Sequence, residues 1–431
     1  MSIKNLISVE EIPNKPKRGD CFSIGGAGAT AYTHGIFKYP CKFIPHIPRW
    51  FLSAYGSKKT LEFGVLDPFM GSGTSLVESN LLGYPAYGLD VDPLSKLLSK
   101  VKTTPFSKKE LVQLGNVIEE LKANLEKKKV STKHLENFRP NFKNLTYWFS
   151  GDAIERLLKI SFFIVKYEED TDSEKIGDLM RITLASVVRK ASLADEQSPK
   201  PYISTRIAKK TTDIFDLYLA NLEKNFKAIS QFSAHRNLGK TKIIGIDARK
   251  VNLKQLKGNK VHLAVTSPPY INAFDYVRSL KLENFWLRYI SDQNISELYD
   301  LQVGTEKLSI RNTQINSFKI EQLDGALAMI KETDPKRAVI VSEYFKAMDQ
   351  NIETVHESLI AGGYYCIVVG DSVIRNINVA TSRILIEIAK SKNFRLIDDF
   401  SYVIRNRYLR IPRAGKGGFI PVDHVLVFQK K

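Results

Sequence analysis

Between residues 63 and 90 the chain has few ways to fold. An apolar run at 63–66 leads into the octet DPFMGSGT, Asp67 to Thr74; a stretch of helical spacing follows at 75–82, and a second apolar run at 84–89 ends on Asp90. Strand, glycine turn, helix, strand is the βαβ unit of a parallel sheet, whose crossover helix must cover one face. Gly71 and Gly73 permit the tight turn and let backbone N–H groups approach a ligand with no Cβ in the way. A ligand crevice is therefore expected at the carboxyl end of the first strand.

Five further apolar runs bounded by turn signals read as strands, at 242–246, 261–265, 364–369, about 394–403 and 424–428, with helical spacing between them at 279–289, 344–359 and 378–391. Parallel strands alternating with helices predict an α/β fold, a doubly wound, mostly parallel sheet between two helical layers. The stretch 105–240 differs. It has helical periodicity, dense Lys and Arg and no convincing strand run, and it falls between the second and third strands. It reads as a helical insertion that divides the main domain into a first part, 1–104, and a second part, 241–431.

Charge narrows the partners. Sixty-four Lys and Arg against 46 Asp and Glu leave a formal charge of +18, which attracts a polyanion, so a nucleic acid ranks above a membrane or a small anion. Cys21, Cys41 and Cys366 form no CxxC pair, and no His/Cys spacing suits zinc, so neither a disulfide scaffold nor a metal is expected. No stretch approaches the roughly 18 uninterrupted apolar residues of a membrane span, and the first twenty residues hold no apolar signal region. A reduced, cytoplasmic protein is the expectation.

Three acids stand at predicted strand ends. Asp67 is placed to face an amino group, Asp90 to take both hydroxyls of a ribose, and Asp247 to accept from an adenine amino group. The helix after Gly73 offers free N–H groups to a carboxylate, with Phe69, Ser72 and Thr74 completing the turn. The set suits a nucleoside that carries an amino acid, S-adenosylmethionine (AdoMet). A glycine turn alone also serves phosphate and dinucleotide sites, but neither GxxxxGK[ST] nor GxGxxG is present.

The second informative string is TSPPY at 266–270, after the apolar run VHLAV. An exocyclic amino group on a base is a poor nucleophile because its lone pair is delocalised into the ring. Acceptors that draw its hydrogens out of plane localise that lone pair. Ser267 offers a side-chain oxygen, and the carbonyl of Pro268 is kept out of a helix by Pro269. Two prolines stiffen the loop, and Tyr270 offers a ring on which a base can stack. An ordinary rigid turn would use the same residues.

Together these strings resemble the amino-methylating DNA methyltransferases. TSPPY resembles their catalytic motif, in the Ser/Thr-Pro-Pro-Tyr version most typical of enzymes acting on cytosine N4; DPFMGSGT resembles their AdoMet motif and GLDVDP at 88–93 their ribose motif. FKYPCKFIPHIP at 37–48 is similar to the segment that folds over the cofactor, and 271–287, 362–372 and 422–430 also look family-like. The resemblance implies a class I fold with a seven-stranded sheet, bound AdoMet, and a target base rotated out of duplex DNA. By position, Ser267 and the Pro268 carbonyl would hold the amino group, Pro269 would stiffen the loop and Tyr270 would stack the base. Asp67, Phe69, Gly71, Ser72, Gly73, Thr74, Asp90 and Asp247 would line AdoMet. A restriction-modification enzyme with a cognate endonuclease is the implied setting.

Alternatives stay open at this level. The same acceptors serve adenine N6. RNA guanosine-N2 methyltransferases pair a DPF-type turn with a Pro-Pro-Tyr loop, although residues 1–62 are too few for the separate RNA-binding domain they tend to carry. A non-catalytic binding protein that kept the fold is a third. Pro40-Cys41 is the dipeptide that cytosine-C5 methyltransferases use as nucleophile, but it precedes the glycine turn here, and Cys41 reads as structural. For nucleic-acid contact the segment 181–210 supplies Arg189, Lys190, Arg206 and Lys209 beside Ser, Gln and Tyr, and the loop 413–419 supplies Arg413 and Lys416.

Overall fold

A computed structural model describes residues 6–26, 28–196, 198, 200–204, 209, 213–271, 274–305, 315–404 and 421–431. Its strands are β1 (Leu6–Val9), β2 (Cys21–Ile24), β3 (Val65–Asp67), β4 (Ala86–Leu89), β5 (Thr241–Gly245), β6 (Val261–Thr266), β7 (Leu359–Val369), β8 (Ser372–Ile374), β9 (Ile377–Val379), β10 (Phe394–Val403) and β11 (Val422–Lys430). Among the described residues, nine form one sheet in the order β1-β2-β10-β11-β7-β6-β3-β4-β5, and β8 and β9 form a separate hairpin. All neighbours run parallel except β11, which is antiparallel to both β7 and β10. The α/β class and the mostly parallel, doubly wound sheet of the class I fold are thus present. Two short strands are added to the seven expected: β2 pairs with β10 through Ser401 and Tyr402, and β1 pairs with β2. They cover an edge that β10 would otherwise leave open.

Period-two alternation assigns each strand residue to one of two cores. Leu66, Ala264, Tyr365, Ile367, Leu426 and Phe428 face the helices Glu321–Thr333, Pro335–Ser358 and Thr381–Ser391. Val65, Leu263, Val265, Cys366, Val368, Val425 and Val427 face the other way, against helix His46–Tyr55. Both faces being covered, the central strands are mostly apolar, and β6 is buried along its whole length.

The described part of 105–240 is helical, with long helices at Lys108–Asn124, Gly151–Thr171, Glu174–Ala191 and Ile214–Ser233. Side-chain caps start most of them: Ser107 and Glu110 form a capping box, Ser150 caps the second and Asp213 caps the last. Leu114, Leu157, Phe163, Ile182 and Leu222 share one core with Leu94, Leu98 and Val101 of helix Pro93–Thr103, and with Leu282 and Trp286. The insertion is therefore packed onto the helix that follows β4 and onto the segment downstream of the Ser-Pro-Pro-Tyr loop.

Candidate functional site

In the sheet β3 lies between β4 and β6, and the chain leaves these strands toward opposite edges, so a crevice opens beyond their carboxyl ends. The turn after β3, the turn after β4 and the loop after β6 all reach it, through Asp67 to Ser72, Asp90 to Asp92, and Ser267 and Pro269.

Positive φ at Gly71 (46°) and Gly73 (71°) makes the turn, and a Cβ on Gly73 would meet the Ser99 hydroxyl at 2.7 Å. Gly73 precedes helix Thr74–Leu81 and no side chain caps that helix, so its first N–H groups face the crevice side of the turn without a side-chain acceptor. Asp90 braces the turn: its Oδ2 accepts from Gly71 N at 2.9 Å and its Oδ1 from Asp92 N at 2.8 Å. From below, Lys102 Nζ donates to the Ser72 carbonyl at 2.5 Å, and Ser99 Oγ to that of Gly71 at 3.1 Å. Tyr39 closes the site from above. Its ring lies against Gly71 and stacks on Tyr276, and its hydroxyl shares a hydrogen bond with Ser95 at 2.9 Å.

Asp67 connects the two halves of the chain. Buried at 2% exposure, it accepts from Thr266 Oγ1 at 2.6 Å and from Phe69 N at 3.1 Å. Thr266 ends β6 directly before Ser267, so the glycine turn and the Ser-Pro-Pro-Tyr loop are held against each other. Burial is the main cause that pushes the Asp67 carboxyl up to about 6 and Asp90 up to about 7, with Asp92 adding to the rise at Asp90. Asp92 is raised by burial too; it caps helix Pro93–Thr103 and accepts from Asn284 Nδ2 at 2.9 Å. Three acids so placed favour a cation in the crevice.

Ser267 and Pro269 line the crevice, whereas Pro268 is buried behind them. Tyr270 turns toward the sheet, where its hydroxyl donates to Asp423 Oδ1 of β11 at 2.6 Å. Phe69 and Thr74 also line the crevice, as do Tyr276 and Val303 downstream. Asp247 is not brought in. Both its oxygens accept from Arg249, at 2.8 and 3.1 Å, while its neighbours Ile246 and Ala248 line the wall. Cys41 lines the crevice with its side chain exposed.

The cations expected at a nucleic acid separate. Lys190 is exposed. Lys209 is committed within the protein, donating to the carbonyls of Arg189, Ser192 and Ala194 at the end of helix Glu174–Ala191 and pairing with Glu196. Arg189 is partly buried and donates to the Ser198 carbonyl at 2.8 Å. Arg206, Arg413 and Lys416 lie outside the described residues. Tyr39, Asp92, Lys102, Tyr276, Asn284 and Asp423 joined the site without being named from the sequence. The signals for Tyr39, Asp92, Tyr276, Asn284 and Asp423 were the family-like segments that hold them; Lys102 had none of its own. Among the described residues no helix is long and apolar enough to cross a membrane.

No family model matches the chain. It is similar to the type II methyltransferase M.MvaI of Kocuria varians, 26% identical over 395 residues that cover 87% of this chain and 85% of that one. M.MjaII of Methanocaldococcus jannaschii, also a type II methyltransferase, is 29% identical over 175 residues, 39% of this chain and 30% of its own length. The type II methyltransferase M.BsoBI of Geobacillus stearothermophilus is 26% identical over 278 residues, 60% of this chain and 52% of its own. An rRNA methyltransferase from Streptomyces viridochromogenes superposes with a TM-score of 0.30 at 10% identity, covering 94% of this chain and 88% of that one, too loosely to bear on site or reaction. The sequence relatives are thus methyltransferases.

Proposed function

We propose that this relative of the type II methyltransferases is a site-specific DNA methyltransferase, transferring a methyl group from AdoMet to the exocyclic N4 amino group of cytosine rotated out of the duplex. A restriction endonuclease reading the same site would be its partner. The observation that carries the reading is the hydrogen bond from Thr266 to Asp67, which sets a glycine-turn nucleoside pocket and an amino-group loop on one crevice. AdoMet would supply a methyl group made electrophilic by its sulfonium charge. Asp67 would meet its amino group, Asp90 its ribose hydroxyls, and the uncapped N-terminus of helix Thr74–Leu81 its carboxylate. Ser267 Oγ and the Pro268 carbonyl would localise the nitrogen lone pair, with Tyr270 beneath the base. No base of near-neutral pKa is required, because the proton leaves the nitrogen after the methyl has arrived.

The reaction is tested by incubating the protein with labelled AdoMet and mixed duplex DNA, then identifying the methylated nucleoside by mass spectrometry. N4-methylcytosine is expected. N6-methyladenine would reassign the base, label in RNA alone would reassign the substrate, and no AdoMet binding by calorimetry would leave a binding protein.

Acidity in the crevice gives a second expectation. Burial pushes the Asp67 and Asp90 carboxyls up to about 6 and about 7, so both are largely protonated at low pH and ionised at high pH. The amino group pairs with ionised Asp67, and the ribose hydroxyls donate more strongly to ionised Asp90, so AdoMet affinity should rise between about pH 5 and 8 and then level off, with protons released on binding below the plateau. Calorimetry in buffers of different ionisation enthalpy measures both. A flat affinity with no proton release would remove these acids from the cofactor site.

Lys190 and Lys209 should behave differently. If Lys190 contacts a phosphate, Lys190→Ala lowers the slope of log K against log salt for DNA by about 0.9. Lys209→Ala is instead expected to lower stability to urea by about 1–2 kcal/mol, because three carbonyls at a helix end lose their donor. An unchanged salt slope in Lys190→Ala would place the DNA surface elsewhere.

A further inference from the structure

Asp423 is an acid in the interior of the sheet. It is 5% exposed, second in β11, and no Lys or Arg forms an ion pair with it among the described residues. Two phenols approach it instead. Tyr402 is its directly opposed partner on β10 and hydrogen-bonds to it, and Tyr270 donates to its Oδ1 at 2.6 Å from the loop after β6. Burial holds its carboxyl above the ordinary range, as expected for an acid kept from water. An acid so placed is costly to the fold, and what it obtains is a fixed end for one side chain of the loop.

A tyrosine ring has two side-chain torsions, and a loop residue leaves both free unless something holds the far end. A base stacks best on a ring already in place, since ordering the ring on binding subtracts from affinity. We propose that Asp423 is a positioning residue that tethers the Tyr270 hydroxyl, holding the ring as a ready platform for the extruded base. This rests on the methyltransferase reading above. The tether stands beside the same site, since Tyr270 directly follows Pro269, which lines the crevice, and the charge of Asp423 acts on the lining residues Cys41 and Tyr276.

The test combines kinetics with a direct reading of the ring. Asp423→Ala should raise KM for DNA and lower kcat/KM by roughly 10- to 100-fold, as for one hydrogen bond to a charged group, with AdoMet affinity unchanged. Asp423→Asn keeps an oxygen for the phenol and should recover most of that loss. Tyr270→Phe removes the bond from its other end, so in that background Asp423→Ala should cost nothing further. Equal losses in both backgrounds would overturn the tether. If Asp423→Ala does not fold, Tyr270→Phe alone decides, since wild-type kcat/KM without the hydroxyl also overturns it.

3-Fluorotyrosine placed at 270 separates the tether from the reaction. Its fluorine resonance should report one ring environment in the wild-type chain and an averaged one in Asp423→Ala. An ordered ring in a protein that methylates no DNA refutes the methyltransferase reading and leaves the tether standing. A resonance that Asp423→Ala does not alter refutes the tether.

Discussion

Ser267→Ala is expected to lower kcat by roughly 10²–10³-fold, the loss seen when one preorganised partner is removed from a developing charge. The serine hydroxyl is one of two acceptors assigned to the amino group, and it lines the crevice at the end of a strand that is buried throughout. AdoMet affinity should stay within about twofold, because the acids and the glycine turn are untouched. Rapid-quench measurement of the methyl-transfer step on a duplex substrate separates chemistry from product release. Near-normal transfer in this variant would take Ser267 out of the mechanism and leave the Pro268 carbonyl as the sole acceptor.

Asp90→Ala should weaken AdoMet binding by about 3 kcal/mol, more than a hundredfold, while DNA binding without AdoMet persists. Two losses combine. The ribose hydroxyls lose a charged acceptor, and the N–H groups of Gly71 and Asp92 lose the carboxylate that joins the two turns. Asp90→Asn tells these apart. Its amide has one acceptor and one donor, so it can serve only one of the two backbone N–H groups. If the bracing matters, Asn should bind AdoMet nearly as poorly as Ala; an Asn variant with close to wild-type affinity would mean that the bracing is dispensable.

Most of the sheet was legible because buried parallel strands are apolar runs closed by turn residues, and β10 is the case where 394–403 was read with its observed bounds. β1 and β2 were missed because LISV and CFSI are four-residue runs too short to stand out, and they become strands only by pairing with β10 and each other. The β8–β9 hairpin left a fainter trace. Its two-residue turn, Arg375-Asn376, has positive φ at both positions, and only the asparagine hints at that. In the site, DPFMGSGT and TSPPY are legible as strings since each function sits in consecutive residues. Lys102 sits in no such string, and the segments that hold Asp423 and Asn284 do not say what those two residues do; the meaning of each is a partner 30, 153 or 192 positions away. Asp247 shows the limit of reading strand ends. A strand-end acid looks like a ligand, but its alternating neighbours face the crevice and Arg249 takes its carboxylate.

The place of β11 bears on how the molecule comes into being. It is the last of the eleven strands among the described residues, yet it lies inside the sheet, between β7 and β10. During synthesis, every strand made before it waits with an open seam between β7 and β10, and Tyr270 waits for Asp423. Asp67 and Thr266 meet across 199 positions, so the crevice itself needs a long loop to close. Contacts this distant along the chain raise the contact order, which slows folding. Without the segment from Val422 onward, β7 and β10 would each keep an unpaired edge, and Tyr270 would lose its acceptor.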